Sequence, residues 1–363
     1  MKLKVLELFS GIGGFHFALK STGIPYDDLI AMDINTVANE VYKSNFNPSS
    51  LKQRSIDSLS IAELDKYKPN LIWMSPPCQP FTRQGLQKDD EDSRSKAFLH
   101  LLNIIPNLVS LPEIIMLENV KGFEVSRCRS ALKDCLISKG YRIQEFLLSP
   151  LQFGIPNSRL RYFFIAKLED FNFETKSSIW ETIPDCMSDY LVHLQYKGLP
   201  DQVVIKPDTK NHRDELMYTT RCKPICEFLE ENVDLTKFGL EENRFKLFGA
   251  MDMRKRESKN TCCFTKRYSQ YIDGTGSLLV EGDLAEEEFN YLRSRQDFTD
   301  DKSIELIRRL QIRFFTPREV ANLMCFPSSF TFEETITTQQ MYRLLGNSLN
   351  VHVVSILIRL ALL

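Results

Sequence analysis

The chain has 363 residues, of which 43% are hydrophobic and 26% are charged, as is ordinary for a globular protein. Its net charge of -2 excludes a uniformly basic surface for nucleic acid, although a local basic cleft is still compatible with it. The length allows one large domain or two smaller ones.

We expect no targeting signal and no membrane segment. Glu7 interrupts the apolar run at the start of the chain, and the apolar run 351–363 is too short to cross a bilayer. The nine cysteines include no C-x-x-C pair, and His212, Cys222 and Cys226 match no common zinc spacing. We therefore predict no metal site, free thiols, and a location in the cytoplasm, with the nucleus as a second compartment. A monomer is a separate expectation that none of these patterns shows.

The first predicted strand, residues 4–9, runs into Ser10-Gly-Ile-Gly-Gly14 and then into a helix from Phe15. A strand, a glycine turn and a helix in this order let backbone amides approach a nucleotide-like ligand. His16 breaks the G-x-G-x-x-G pattern, which argues against an ordinary dinucleotide site. A glycine turn that serves packing alone is the other interpretation.

A second strand, residues 28–32, ends at Asp33, about 20 positions beyond the glycine turn. A carboxylate at this position can accept hydrogen bonds from ribose hydroxyls, and it could also cap the helix that begins at Thr36. Asp57 could accept a hydrogen bond from an adenine amino group, although a solvated turn is the simpler interpretation.

The stretch 70–82 contains a short apolar strand, Leu71 to Met74, which two prolines stop just before Cys78. A thiol on a stiff loop beyond a strand lies where α/β enzymes place their reactive groups. Most free cysteines, in contrast, are small buried hydrophobic residues. The polar loop 83–95 that follows is either a solvated surface or a mobile lid.

A third apolar strand, Ile114 to Leu117, is followed at once by Glu118. A carboxylate at such a position is costly to bury unless it is paired or functional. If the sheet is parallel, Cys78 and Glu118 lie at the same edge, which favours a catalytic role for both.

Two further strands are predicted at 141–147 and 160–166, with Arg159 and Arg161 at the start of the second. Alternate residues of an extended segment face the same side, and two guanidinium groups suit a phosphate or a cytosine carbonyl. A pair of surface arginines is the alternative.

We predict three parts: a first α/β domain from 1–167, a second, less regular domain from 168–310, and a return to the first domain from 311–363. Basic and aromatic residues alternate within 253–276, as suits backbone contacts and base stacking, although a solvated loop would show the same composition. Thr316 is predicted to cap a helix, and Leu345 to open a long apolar helix buried against the sheet.

These motifs, in this order, resemble the cytosine-5 methyltransferase family. The likeness covers residues 4–166 and 311–363, and Asn157 stands where the family's Q-x-R-x-R motif has glutamine. The segments that carry it are Phe9-Ser-Gly-Ile-Gly-Gly14, Pro77-Cys78-Gln79, Glu118-Asn119-Val120, Arg159 with Arg161, and Leu345-Gly-Asn-Ser348.

Within that family the sequence is most similar to the small tRNA-methylating branch. The first motif begins almost at the N-terminus, and the segments 154–162, 263–265 and 271–276 read as in that branch. The resemblance implies an α/β, Rossmann-like S-adenosylmethionine-dependent methyltransferase fold with a smaller target-recognition domain. It also implies tRNA as the partner, with cytosine 38 in the anticodon loop of tRNA-Asp as the target.

The resemblance implies a role for each matching residue. Cys78 would add to cytosine C6, Glu118 would protonate N3, and Arg159 and Arg161 would hold the flipped nucleotide. The cofactor would lie against Phe9, Ser10, Gly11, Ile12, Gly13, Asp33, Ile34, Asp57, Ser75, Asn347 and Ser348. Contacts to nucleic acid are expected from Gln79, Lys121, Cys263, Phe264, Thr265, Lys266, Arg267 and Tyr271.

Three other functions are compatible with parts of the sequence. A DNA methyltransferase would need the same catalytic residues, and DNA could be a second, weaker partner. A non-catalytic nucleic-acid-binding protein could keep the fold, although both arginines, Cys78 and Glu118 are all present. A dinucleotide oxidoreductase is disfavoured by His16 in the glycine turn.

Overall fold

Seven strands of the first half of the chain form one sheet in the computed structural model, which describes residues 2–77, 95–175, 178–184 and 218–363. The order across the sheet is β3-β2-β1-β4-β5-β7-β6, and only β7 runs against its neighbours. The strands are β1 (Leu3–Leu8), β2 (Tyr26–Asp33), β3 (Leu51–Gln53), β4 (Leu71–Met74), β5 (Ile114–Val120), β6 (Arg142–Leu148) and β7 (Arg161–Lys167).

Five helices connect these strands and cover both faces of the sheet. They are α1 (Gly14–Thr22), α2 (Thr36–Asn45), α3 (Ile61–Tyr67), α4 (Lys96–Ile104) and α5 (Arg127–Ile137). Two apolar cores result, one on the side of α1 and α2 and the other on the side of α4 and α5. All four residues of β4 are buried, because this central strand is covered on both faces.

The cap of α2 differs from the prediction. Asn35, and not Asp33, accepts the hydrogen bond from the backbone N–H of Ala38 that caps the helix. Both residues are good caps by type, so sequence alone could not distinguish them.

A second, smaller sheet lies in the part of the chain after residue 217. It has the order β10-β9-β8, with strands β8 (Met253–Arg254), β9 (Leu278–Val280) and β10 (Ile312–Phe314). By its pairing with β9, β10 belongs to this sheet, although it lies within the predicted third part, 311–363. Three helices lie near it in the chain, α6 (Leu235–Phe238), α7 (Glu286–Arg293) and α8 (Asp301–Arg309).

The last three helices return to the large sheet. As predicted, Thr316 caps α9 (Pro317–Leu323) and accepts a hydrogen bond from the backbone N–H of Glu319. The prediction that Leu345 opens a helix is wrong, because α10 (Thr338–Gly346) ends there and α11 (Val351–Leu362) begins after Asn350. Asn350 supplies the cap through its side-chain oxygen, a local signal that the apolar run concealed.

The helix α11 is nearly all buried and packs against α1. Among the described residues, Thr338–Leu362 is the one segment long and apolar enough to cross a membrane, and 78% of its most apolar stretch is buried within the fold. That burial is what a core helix of a globular domain shows.

Candidate functional site

A cleft of about 480 Å³ opens at the carboxyl ends of β1 and β4. The chain runs from β1 toward β2 on one side and from β4 toward β5 on the other, so the cleft lies at the switch point of the sheet, where open α/β sheets bind ligands. It is lined by every predicted cofactor residue except Gly13, and also by Glu118, Arg159 and Arg161. Cys78 and Gln79, which follow Pro77 of the lining, lie outside the described residues.

The glycine turn forms the inner wall of this cleft. Phe9 has a φ of 57°, which is rare for a residue other than glycine and is typical of strained functional turns. Gly13 has a φ of 82°, and a Cβ atom there would come within 2.4 Å of the Phe46 ring. Gly13 therefore meets a conformational and packing need, and its predicted contact with the cofactor stays a prediction.

The Asp33 carboxylate ties the end of β2 to the glycine turn. It accepts hydrogen bonds at 2.8 Å from the backbone N–H groups of Gly11 and Asn35. Burial raises the pKa of Asp33, and these N–H groups partly oppose that rise. Ile34, 67% exposed, and the exposed Asp57 complete this side of the cleft. The apolar side chain of Ile34, together with the carboxylates of Asp33 and Asp57, suits a nucleoside.

Glu118 lies at the other side of the same cleft. The predicted parallel pairing of β4 with β5 is confirmed, and it brings Glu118 to the edge at which Pro76 leaves β4. The buried side-chain amide of Asn119 donates to the carbonyl oxygen of Pro76 at 3.2 Å. The base of the loop that leads to Cys78 is thus fixed beside Glu118.

Arg161 is the charged partner of Glu118. Its Nε lies 3.4 Å from Glu118 Oε1, and both side chains are more than four-fifths buried. Burial raises the pKa of Glu118, while the positive charges of Arg161 and Arg159 act against it. The net rise favours a carboxyl group that can carry a proton into a reaction.

Arg159 has a different environment from the one predicted. It is 3% exposed, and its guanidinium donates to the carbonyl oxygens of Phe264, Gly346 and Ser348. Its Nε has no partner among the described residues. The guanidinium therefore joins two distant backbone segments, and the predicted contact of Arg159 with a nucleotide stays a prediction.

The thiol of Cys263 contacts both arginines, at 3.4 Å from Arg159 Nη1 and 3.7 Å from Arg161 Nη2. Burial acts to raise the pKa of Cys263, but the two guanidinium groups outweigh it and the pKa is lowered. The segment 263–265, which resembles the tRNA-methylating branch, thus contacts the predicted catalytic arginines through its first residue.

The remaining predicted nucleic-acid contacts are divided between surface and core. Lys121, Arg267 and Tyr271 are exposed, and the Arg267 guanidinium lies 5.4 Å from the Tyr271 ring centre. Phe264, however, is 2% exposed and packs against Tyr268 and Phe315, so its side chain is part of the core and not a stacking platform. Thr265 and Lys266 are half-buried.

Among the cleft residues that sequence reasoning missed, two carry buried polar atoms. Glu7 and Trp73 line the cleft, and Glu7 Oε1 and Trp73 Nε1 lack hydrogen-bond partners among the described residues, as does Ser10 Oγ. Glu7 had a detectable signal, since a carboxylate in the middle of an apolar strand is expensive to bury. Trp73 reads from sequence as an ordinary core residue.

No three His, Cys, Asp or Glu side chains converge as a metal site would require anywhere in the described ranges. The described cysteines all have free thiols. They are Cys128, Cys135, Cys222, Cys226, Cys262, Cys263 and Cys325. The absence of a metal in the whole protein stays a prediction.

The strand order, the glycine turn and the cleft at the switch point together define a Rossmann-like methyltransferase fold. A family model described as C-5 cytosine-specific DNA methylase matches residues 3–361. The chain belongs to that family, as its motifs predicted.

Comparison with individual proteins agrees with this assignment. The chain is 42% identical to a Bos taurus protein named tRNA (cytosine(38)-C(5))-methyltransferase, over 99% of this chain and 98% of that one. It is 38% identical to a Dictyostelium discoideum protein named DNA (cytosine-5)-methyltransferase, over 99% and 94%. The crystal structure of a mutant of Spodoptera frugiperda DNMT2 superposes with a TM-score of 0.81 at 37% identity, covering 99% of each chain.

Proposed function

We propose that this protein methylates C5 of cytosine 38 in tRNA, with tRNA-Asp as the substrate and S-adenosylmethionine as the methyl donor. The observation that carries the reaction is the buried pair Glu118 and Arg161 in the same cleft as the glycine turn. The substrate is supported by full-length relatives whose names specify tRNA and cytosine 38. The cytoplasm, with the nucleus as a second compartment, and a monomeric state belong to the same proposal.

The cleft has the chemistry that the cofactor needs. Ile34 and the carboxylates of Asp33 and Asp57 suit the adenosine half, because carboxylates accept from ribose hydroxyls and from the adenine amino group. Deeper in the cleft, Glu7 Oε1 can accept from an ammonium group, and Ser10 Oγ and Trp73 Nε1 can donate to a carboxylate. Since these atoms lack partners among the described residues, an amino-acid group would satisfy them.

S-adenosylmethionine supplies an electrophilic methyl group, and unactivated cytosine C5 is too weak a nucleophile to accept it. Glu118 addresses that weakness by donating a proton to N3, which makes C6 more electrophilic. The raised pKa of Glu118 keeps this proton available, and Arg161 stabilises the carboxylate once the proton has left.

Cys78 is the proposed nucleophile. Its thiolate forms a bond to C6, and the electron pair of the C5–C6 double bond moves to C5 as N3 takes its proton. After C5 has gained the methyl group, its own proton passes to water and the C6–S bond breaks. N3 returns its proton to the Glu118 carboxylate, and the thiolate and 5-methylcytosine are released. The pair of electrons from the C5–H bond restores the double bond.

The target base has to leave its stack to enter a cleft of this depth, which costs less in a tRNA loop than in a duplex. The exposed pair Arg267 and Tyr271 would contact the surrounding strand. A DNA substrate is the second candidate, because one full-length relative is named a DNA (cytosine-5)-methyltransferase.

Bisulfite sequencing after incubation with S-adenosylmethionine tests the proposal. A tRNA pool and duplex DNA are treated with the wild-type protein, with Cys78→Ala and with no protein. We expect wild-type-dependent protection of cytosine 38 in tRNA-Asp alone. Protection in the DNA alone would favour the second candidate, and no protection in either would overturn the proposed reaction.

A further inference from the structure

A chain of hydrogen bonds runs from the methyltransferase cleft through the protein to a second cavity. Tyr42 donates to Glu7 Oε2 at 3.2 Å, His16 Nδ1 lies 2.8 Å from the Tyr42 hydroxyl, and His16 Nε2 lies 2.9 Å from the Tyr26 hydroxyl. Glu7 lines the cleft, whereas His16 and Tyr26 line a cavity of about 720 Å³ at the surface. His16 is the residue that interrupts the dinucleotide pattern.

With Glu7 ionised, the donors and acceptors give this chain one direction. Burial lowers the pKa of His16 to about 3, with Lys20 contributing, so the ring is neutral and carries a single N–H. The Tyr42 proton points to Glu7, so the Tyr42 oxygen accepts from His16 Nδ1–H and His16 Nε2 accepts from the Tyr26 hydroxyl. This arrangement belongs to an ionised Glu7.

A protonated Glu7 fits the same four residues with every bond reversed. Glu7 then donates to Tyr42, Tyr42 to His16 Nδ1, His16 Nε2–H to Tyr26, and Tyr26 to water. Passing one proton along each bond converts the second arrangement into the first. The carboxyl group loses one proton, a water molecule in the second cavity gains one, and both tyrosines and the histidine end neutral.

The surroundings of Glu7 make it able to change its charge. It is 1% exposed, and the groups that shift its pKa besides burial are Tyr42, the backbone N–H of His16 and Asp33, none of which is positively charged. Burial, with a contribution from Asp33, raises the pKa of Glu7 to about 8, although Tyr42 and His16 favour the carboxylate. The free Oε1 has no hydrogen-bond partner among the described residues.

We propose that Glu7 binds the α-ammonium group of the cofactor as a carboxylate, and that its proton leaves through Tyr42, His16 and Tyr26 to the second cavity. This inference rests on the cofactor named under the proposed function. The ammonium group keeps its own protons, so binding releases one proton from each protein molecule in which Glu7 was protonated. The cofactor would reach Glu7 from the cleft, and the second cavity at Tyr26 would give the proton a separate exit.

Isothermal titration calorimetry of the full chain with S-adenosylmethionine tests the proposal without any turnover. Titrations are run in two buffers of different ionisation enthalpy between about pH 6 and about pH 7, where an α-amino group stays mostly protonated. We expect a binding enthalpy that depends on the buffer and corresponds to proton release. We also expect an affinity that rises about tenfold per pH unit.

Three variants assign the effect to the chain of hydrogen bonds. Glu7→Gln should bind more weakly, with a buffer-independent enthalpy and little change with pH. Tyr42→Phe removes a bond that favours the carboxylate, so its affinity at neutral pH should fall and its pH-dependent rise should move to higher pH. Tyr162→Phe is the matched control, because it removes a buried tyrosine bond to Glu145 outside the cleft. It should bind like the wild type.

The proposal is overturned if wild-type binding shows no dependence on the buffer, or if Glu7→Gln still releases a proton. If Glu7→Gln does not fold, Tyr42→Phe decides, and unaltered affinity in that variant contradicts the proposal. Failure of the wild-type protein to bind the cofactor at all would overturn the proposed function itself, and this inference with it.

Discussion

The guanidinium of Arg159 donates a hydrogen bond to the carbonyl oxygen of Gly346 at 3.2 Å, although the two residues are 187 positions apart. The same guanidinium reaches the carbonyl oxygens of Ser348 and Phe264. Gly346 and Ser348 line the cleft, and Phe264 belongs to the segment that carries the exposed nucleic-acid candidates. The buried Arg159 guanidinium therefore links the segment 346–348, which lines the cleft, to the segment that contains Phe264.

Arg159→Lys should weaken cofactor binding as well as turnover. A lysine ammonium is a compact point charge and cannot reproduce the fork that spans several carbonyl oxygens. The loss of one or two charge-assisted hydrogen bonds, at about 1.5–3 kcal/mol each, predicts at least about a tenfold rise in the cofactor Kd. Calorimetry measures it, with Arg142→Lys, an exposed ion-pair residue, as the control. A normal cofactor Kd with lost turnover would show instead that Arg159 acts on the nucleotide alone.

Gly346→Ala should destabilise the junction between α10 and the segment after Phe264. A Cβ atom at this position would lie 2.2 Å from the backbone nitrogen of Lys266, where neither side can yield without moving the backbone. We expect a loss of about 1–3 kcal/mol in the free energy of unfolding, measured by urea titration. Gly249→Ala is the control, since its Cβ would be 3.6 Å from Phe298. Equal stability of the two variants would show that the close approach is not a constraint.

Much of the framework around these residues follows from local sequence. The parallel pairing that places Glu118 beside Pro76 was predictable because short apolar strands and their polar ends are local patterns. The cap at Thr316 was predictable for the same reason. Both need only a few neighbouring residues to be recognised.

The features that the sequence does not predict arise where distant segments meet. Phe264 is predicted to contact nucleic acid, but Tyr268 and Phe315 enclose its side chain, and Phe315 is far away in the sequence. Strand β10 joins the small sheet only through its pairing with β9. Arg159 matched a family motif, yet its partners at 346 and 348 come from the other end of the chain. No local pattern contains such contacts.

Glu118→Gln should slow methyl transfer by about 10²–10⁴-fold, because glutamine cannot deliver a proton to N3. The substitution keeps the size of the side chain, and the cofactor Kd should stay near its wild-type value. Single-turnover methylation of tRNA is the measurement. Glu113→Gln, at the exposed opposite end of β5, should react at the wild-type rate. A normal rate in Glu118→Gln would remove this residue from the mechanism.

The buried carboxyl of Glu7 should make stability depend on pH in the cofactor-free protein. Its pKa is raised from 4.5 to about 8 in the fold, so the unfolded chain ionises first as pH rises. The contribution of the protonated group to stability is complete below about pH 4.5 and is lost as pH rises to about 8, by at most about 1.4 kcal/mol per pH unit. In urea unfolding across this pH range, the free energy of unfolding of Glu7→Gln should rise relative to that of the wild type as the pH increases. Parallel pH curves would contradict the raised pKa.

The central claim is the proposed covalent bond between the Cys78 thiol and cytosine C6. Trapping this adduct is the most direct test of that claim. In RNA that carries 5-fluorocytosine, the C5 substituent cannot leave as a proton, so the bond between the thiol and C6 persists after methyl transfer. The adduct between the protein and the substituted tRNA-Asp is digested, and mass spectrometry identifies the cysteine that carries the nucleotide. We predict a single adduct at Cys78, dependent on S-adenosylmethionine and absent from Cys78→Ala. An adduct at Cys263, whose thiol contacts Arg159 and Arg161, or no adduct in an active preparation, would contradict the account.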